Sequence, residues 1–295
     1  MKKFKGVIVP MVTPLNEDYS IDARAVEKMI ATIIRTDAVP FILGTTGESA
    51  SLSQTQKLDL VKYTVNAVSG KCRIFAGISG TSLIESVECA QAYRDMGVDI
   101  LVSTLPYYFP IEPVDMIRYF DQLANEIDSP LMLYNMPAMV GESIPLTVAQ
   151  QLSKHPNIVG MKDSERDIQR LNESIELWKD REDFGFYIGW AAQSAHGVLN
   201  GADGIVPSTA NLVPDLYDQL YRAACNGEQE GAFELQRVTD ELSSIYQKGR
   251  KLNTSLPALK VILAEQGICQ ATVMPPLYNI SQDECIKIKQ TLQKH

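Results

Sequence analysis

No stretch of this 295-residue chain approaches the roughly 18 consecutive apolar residues that a bilayer-spanning helix needs. The apolar run at 7–12 is too short for a secretory h-region and is broken by Pro10. Positive charge is scarce as well. Lys and Arg number 27 against 36 Asp and Glu, a net charge of −9 that leaves no electrostatic footprint for nucleic acid or an anionic membrane surface. The five cysteines (Cys72, Cys89, Cys225, Cys269 and Cys285) are odd in number, widely spaced and without a Cys-x-x-Cys. That argues against a disulfide framework or a zinc ribbon and predicts a reducing, cytoplasmic setting. The three histidines, His155, His196 and His295, form no His-x-His or His-Glu-x-x-His, so no zinc site is expected. No Gly-x-Gly-x-x-Gly follows a strand, and no Walker loop occurs. Ser194 and His196 lack the Gly-x-Ser-x-Gly elbow of a serine hydrolase.

What the chain does contain is one alternation, repeated eight times. Short apolar runs bounded by Gly, Pro or polar residues predict strands over 6–13, 40–44, 73–78, 99–104, 131–135, 158–162, 185–189 and 204–207. Between and after them, apolar residues at three- and four-residue spacing predict helices over 22–35, 54–68, 83–96, 114–127, 146–154, 167–178, 193–200 and 213–225. Ser53 with Gln56 forms a capping-box pattern, Ser20 precedes the first helix, and Pro145 starts the fifth. Eight β-α units predict a parallel sheet with right-handed crossovers, closed as a (β/α)₈ TIM barrel; an open doubly wound sheet is the alternative. From residue 226 the strands stop. Helices over 229–246, 255–265 and 282–293 predict a C-terminal helical extension (226–295) that packs on the barrel (1–225) or builds a subunit interface.

Barrel enzymes act at the C-terminal ends of their strands. Lys162 closes the run Ile158-Val159-Gly160-Met161, where its amine would point into the barrel mouth. Desolvation there disfavours the ammonium form, and a neutral amine adds to a ketone to give a Schiff base. A structural pair with Asp163 is the competing reading. Strand 2 ends in Gly44-Thr45-Thr46-Gly47-Glu48-Ser49, a turn whose N–H groups and hydroxyls suit a small carboxylate or phosphate; capping threonines are the plainer reading. Tyr134 lies one strand from Lys162 at the same depth and could relay protons, or could simply be core. Tyr107 and Tyr108 offer a second phenol or an aromatic interface patch.

Together these pieces resemble the pyruvate-dependent class I aldolase family, which includes dihydrodipicolinate synthase and N-acetylneuraminate lyase. The likeness runs from Pro10-Met11-Val12-Thr13-Pro14 through the Gly-Thr-Thr-Gly-Glu-Ser turn, Pro106-Tyr107-Tyr108, Tyr134-Asn135-Met136-Pro137 and Gly160-Met161-Lys162-Asp163 to Gly201-Ala202-Asp203-Gly204. It implies a lyase in which Lys162 forms the imine with pyruvate and Tyr134 relays protons. Thr45 and Thr46 would bind the pyruvate carboxylate. Thr46 or Thr45, with Tyr108, would extend the relay, a tyrosine crossing from a neighbouring subunit of a homotetramer. Gly47, Met139, Gly189, Val206 and Ser208 complete the implied substrate-binding set. The implied partners are a 2-oxo acid and an aldehyde. No metal or organic cofactor is implied.

The choice of second substrate departs from both best-known members. The synthase has an arginine for the aldehyde's carboxylate where this chain has Met139. Losing such a contact costs about 2–5 kcal/mol, which argues against aspartate semialdehyde. Arg166 and Arg170 are possible substitutes. The lyase has an acidic pair where this chain has Ala191 and Ala192, which argues against sialic acid. Met139, Trp190, Ala191 and Ala192 predict a more apolar or shorter second substrate. A dehydratase or deaminase working through the same imine, and a non-catalytic 2-oxo acid-binding barrel, remain the alternatives.

Overall fold

The computed structural model describes residues 3–292. Met1, Lys2, His295 and the last residue of the final expected helix, Gln293, lie outside the described residues. All eight expected strands are present: β1 (Gly6–Pro10), β2 (Val39–Ile42), β3 (Phe75–Gly77), β4 (Ile100–Thr104), β5 (Leu131–Asn135), β6 (Ile158–Asp163), β7 (Gly185–Ile188) and β8 (Gly204–Ile205). Each pairs in parallel with the next, and β8 closes on β1 through Gly6 opposite Gly204 and Val7 opposite Ile205. The closed barrel excludes the open sheet. The strand residues are buried almost throughout, as expected when both faces are covered.

The helices are α1 (Ala23–Ile33), α2 (Gln54–Val68), α3 (Leu83–Met96), α4 (Pro113–Ile127), α5 (Pro137–Val140), α6 (Leu146–Leu152), α7 (Ile168–Trp178), α8 (Ser194–Leu199), α9 (Pro214–Cys225), α10 (Gln229–Gln247), α11 (Leu252–Glu265) and α12 (Gln282–Leu292). α1 shows why they form: Ala25, Val26, Met29, Ile30 and Ile33 make one buried stripe. Its cap is Asp22, which accepts from the Ala25 N–H, not Ser20. Ile21 still bridges to Leu15 in extended backbone, so the helix cannot begin at Ser20. The Ser53–Gln56 capping box of α2 forms as expected. α11 starts at Leu252, three residues before the expected Ser255, and contains Pro257. The N–H groups of Thr254 and Ser255 both donate to the Lys251 carbonyl, which builds the first turn ahead of the proline. α5 was not expected. Met139 and Val140 N–H donate to the Met136 carbonyl, and Gly141, at φ 88°, ends the turn.

Two cores result. The larger lies between strands and helices. The smaller fills the barrel with Phe41, Phe75, Val102, Met132 and Tyr187 among others. Tyr187 turns toward the N-terminal floor, where its hydroxyl donates to the Phe4 carbonyl at 2.9 Å. It has room only because its inward neighbours are glycines. A Cβ at Gly185 would sit 2.7 Å from the Tyr187 ring, and one at Gly160 would sit 3.0 Å from it. Gly185→Ala should therefore cost about 1–3 kcal/mol by overpacking, read as a lower denaturant midpoint; an unchanged midpoint would show that the ring can move aside.

Candidate active site

Register places the candidate residues. β5 and β6 slip by one residue between Leu131 and Met132, and beyond the slip Tyr134 lies opposite Lys162. Lys162 lies opposite Tyr187 on the other side. Successive strand residues face opposite ways. Lys162 thus faces the barrel mouth, 5% exposed. Its Nζ stands 3.8 Å from the Tyr134 ring centroid and 5.1 Å from that of Phe41. Asp163 faces outward and is held by Arg170 Nε at 2.8 Å, the Asn135 amide at 3.1 Å and the Glu165 N–H at 2.8 Å. The Lys162–Asp163 pair is therefore not made. Among the described residues Lys162 forms no ion pair with any carboxylate.

The Tyr134 hydroxyl meets the Thr45 hydroxyl at 3.3 Å. Burial pushes the Tyr134 phenol up, but the Lys162 charge and hydrogen bonds with Thr45, Lys162 and Ser164 hold it below the ordinary phenol range. The turn carrying Thr45 is tightly braced. Gly47, Glu48 and Ser49 donate their N–H groups to Gly44, Thr45 and Gly44 carbonyls, and Thr13 Oγ1 donates to the Gly47 carbonyl at 2.6 Å. The Gly47 N–H is thus used inside the turn. The N–H groups of Thr45 and Thr46 take no part in these bonds.

These residues open on one cavity of about 1090 Å³. Thr45, Thr46, Tyr134, Met139, Gly189, Val206 and Ser208 all line it with Lys162. Trp190, Ala191 and Ala192 also line it, which matches the expected apolar wall, but the volume does not confine a second substrate to a short one. Arg166 lines the mouth. Arg170 does not; its guanidinium is engaged by Asp163 and the Ile144 carbonyl behind β6. Tyr108 is 85% exposed, at φ 95°, and is packed on Phe109 with ring centroids 5.0 Å apart. It does not line the cavity of the single chain. No group of three or more His, Cys, Asp and Glu among the described residues could hold a metal ion.

Two features escaped the sequence reading. The first is Tyr246, on α10, which reaches Ser208 Oγ at 2.8 Å and Thr209 Oγ1 at 2.9 Å and lines the cavity. The second is a buried ion pair. Glu48 Oε1 meets Lys260 Nζ of α11 at 2.5 Å, Glu48 Oε2 accepts from the Met274 N–H at 2.7 Å, and Lys260 donates to the Thr272 carbonyl at 2.6 Å. Burial pushes the Lys260 ammonium down, against the Glu48 charge that pulls it up. The signal was legible in part: Lys260 is the one charge within Pro257-Ala258-Leu259-Lys260-Val261-Ile262-Leu263.

A buried lysine without a carboxylate, laid on a phenol at the open end of a parallel barrel, is an arrangement that suits imine formation. The comparisons narrow this. The family model described as the dihydrodipicolinate synthetase family matches residues 3–295, and the chain belongs to that family. It is similar to a dihydrodipicolinate synthase structure from Bacteroides thetaiotaomicron, at 34% identity over the whole of both chains with a TM-score of 0.94. It is 31% identical to a probable 2-dehydro-3-deoxy-D-pentonate aldolase of Escherichia coli, over 83% of each chain. A prophage protein of Escherichia coli K12, solved in complex with pyruvate, matches at 25% identity and TM-score 0.89 over 99% of this chain and 98% of that one.

Breaking the buried pair leaves an uncompensated charge. Lys260→Met should cost about 3–5 kcal/mol in denaturant unfolding, and adding Glu48→Met should recover most of it. A double variant as unstable as the single one would contradict the pairing.

Proposed function

We propose that Lys162 is the imine-forming lysine of a pyruvate-dependent lyase that makes or cleaves a C–C bond at C3 of a 2-oxo acid. The observation that carries this is the placement of Lys162 Nζ over the Tyr134 ring, with the Tyr134 hydroxyl in reach of Thr45. In the synthetic direction the neutral amine adds to the pyruvate C2 carbonyl, and the oxygen takes a proton to give a carbinolamine. The hydroxyl leaves as water with a proton relayed through Tyr134, and the protonated imine remains. Loss of a C3 proton gives the enamine. Its C3 attacks the aldehyde carbon while the aldehyde oxygen takes a proton. Water then hydrolyses the imine and frees Lys162. Cleavage is the reverse.

Thr45 and Thr46 bind the pyruvate carboxylate in this reading, supported by two N–H groups that the turn's own bonds leave aside. Thr46 or Thr45, with Tyr108, extends the relay from Tyr134; Thr45 is the threonine whose hydroxyl meets that of Tyr134. The exposure of Tyr108 and Phe109 supports a crossing of this segment into a neighbouring copy, and with it a homotetramer. Met139, Gly189, Val206 and Ser208 bound the second substrate; Gly47 serves it only by shaping the turn. Residues 226–295 act as an extension that completes the cavity, supported by Tyr246 at its wall. Five free cysteines support a reducing cytoplasm. No helix among the described residues is long and apolar enough to cross a membrane.

The enamine can be tested without knowing the aldehyde. In D₂O the protein should exchange the methyl protons of pyruvate, followed by NMR. Lys162→Ala should reduce exchange to background, and Tyr134→Phe should slow it by about 10²–10⁴-fold. Full exchange by Lys162→Ala would overturn the proposal.

A further inference from the structure

The rim of the cavity carries an unbalanced set of charges. Arg166 comes from the loop after β6, and Lys248 and Lys251 come from the turn between α10 and α11; all three are exposed and line the cavity. Among the described residues none of them forms an ion pair. In a chain of net charge −9, this needs an account.

The acids beside them are engaged elsewhere. Glu165 accepts from Ser143 at 2.5 Å and from Asn135 at 2.9 Å, and lies 3.3 Å from Arg170. Asp167 caps α7 by accepting from the Arg170 N–H. Glu284 faces Arg250, the one cation of the turn that is tied down; Arg250 also donates to the Ile245 carbonyl at 3.2 Å. Asp240 accepts from Gln236 at 2.9 Å, and burial pushes its carboxyl up against the Gln236 hydrogen bond. Gly249, at φ 72°, bends the chain so that Lys248 and Lys251 flank one turn anchored by Arg250.

The cavity wall also includes Met139, Trp190, Ala191 and Ala192. These four side chains offer no carboxylate to a row of hydroxyls; the carboxylates on the cavity lining are Glu165 and Asp240. The volume, about 1090 Å³, leaves space beyond a bound pyruvate.

Resting on the lyase reading, we propose that the second substrate is an aldehyde ending in a dianion, a phosphate monoester, which Arg166, Lys248 and Lys251 bind at the rim while its carbonyl meets the enamine at Lys162. Three unpaired monovalent cations suit a doubly charged group better than a single carboxylate. The charge also steers such a substrate into the cavity.

The test uses the full chain with pyruvate and three aldehydes: glyceraldehyde, glyceraldehyde 3-phosphate and succinic semialdehyde, with pyruvate loss as the readout. The phosphorylated aldehyde should exceed both others in kcat/KM by about tenfold or more, the effect of one charge-assisted hydrogen bond. Its advantage should shrink with added salt and collapse in R166A and in K248A/K251A. Binding of glycerol 3-phosphate, followed by calorimetry against glycerol, gives a readout free of turnover. Wild type should prefer the phosphate, and R166A/K248A/K251A should lose that preference. Equal use of glyceraldehyde and its phosphate, or equal gains for phosphate and carboxylate, would overturn the assignment. So would a wild type that binds glycerol 3-phosphate no better than glycerol. If the phosphate preference fails while pyruvate methyl exchange persists, the lyase reading stands alone. If exchange fails while the phosphate still binds, the lyase reading falls and the rim site remains.

Discussion

The site depends on the two-residue alternation of β6. Lys162 and Asp163 are neighbours in sequence but occupy different environments. Asp163 faces the helical layer, where Arg170, Asn135 and the Glu165 N–H hold its charge. Lys162 faces the barrel, where the aromatic faces of Tyr134 and Phe41 surround its amine. A slip of one residue would exchange them and destroy both arrangements. The register change between β5 and β6 is what sets Tyr134 beside Lys162. Below them Tyr187 fills the barrel over Gly160 and Gly185, so the interior is closed beneath the amine and open above it.

The other half of the site is held from outside the barrel. The turn that carries Thr45 and Thr46 ends in Glu48, itself in the left-handed region at φ 57°. Its carboxylate reaches Lys260 in α11 and the Met274 N–H. The helical extension is thereby coupled to the part of the barrel that would receive a carboxylate. Tyr246 repeats the theme on the other wall through Ser208 and Thr209. Barrel and extension together shape one cavity, and the extension also carries Lys248 and Lys251 of its rim.

Much of this was legible in the sequence because it is local. Apolar runs, periodicity and capping residues identified all eight strands and most helix bounds, and strand ends pointed to Lys162, Tyr134, Thr45 and Thr46, which share one cavity. What the sequence concealed depends on contacts distant along the chain. Ser20 looked like a cap until the Leu15–Ile21 bridge extended the entry to α1. Pro257 looked like a start until the Lys251 carbonyl supplied the preceding turn. Lys260 and Glu48 lie 212 positions apart, and no local pattern joins them. Tyr108, legible as a phenol, is exposed and stands away from the single-chain cavity.

The proposed chemistry runs through Lys162 rather than through any other buried amine. Borohydride reduction of the protein in pyruvate, followed by peptide mapping, tests it directly. One reduced adduct is expected, on Lys162, and none on Lys260, whose amine is held by Glu48 and the Thr272 carbonyl. An adduct on another lysine, or none in the folded protein, would contradict it.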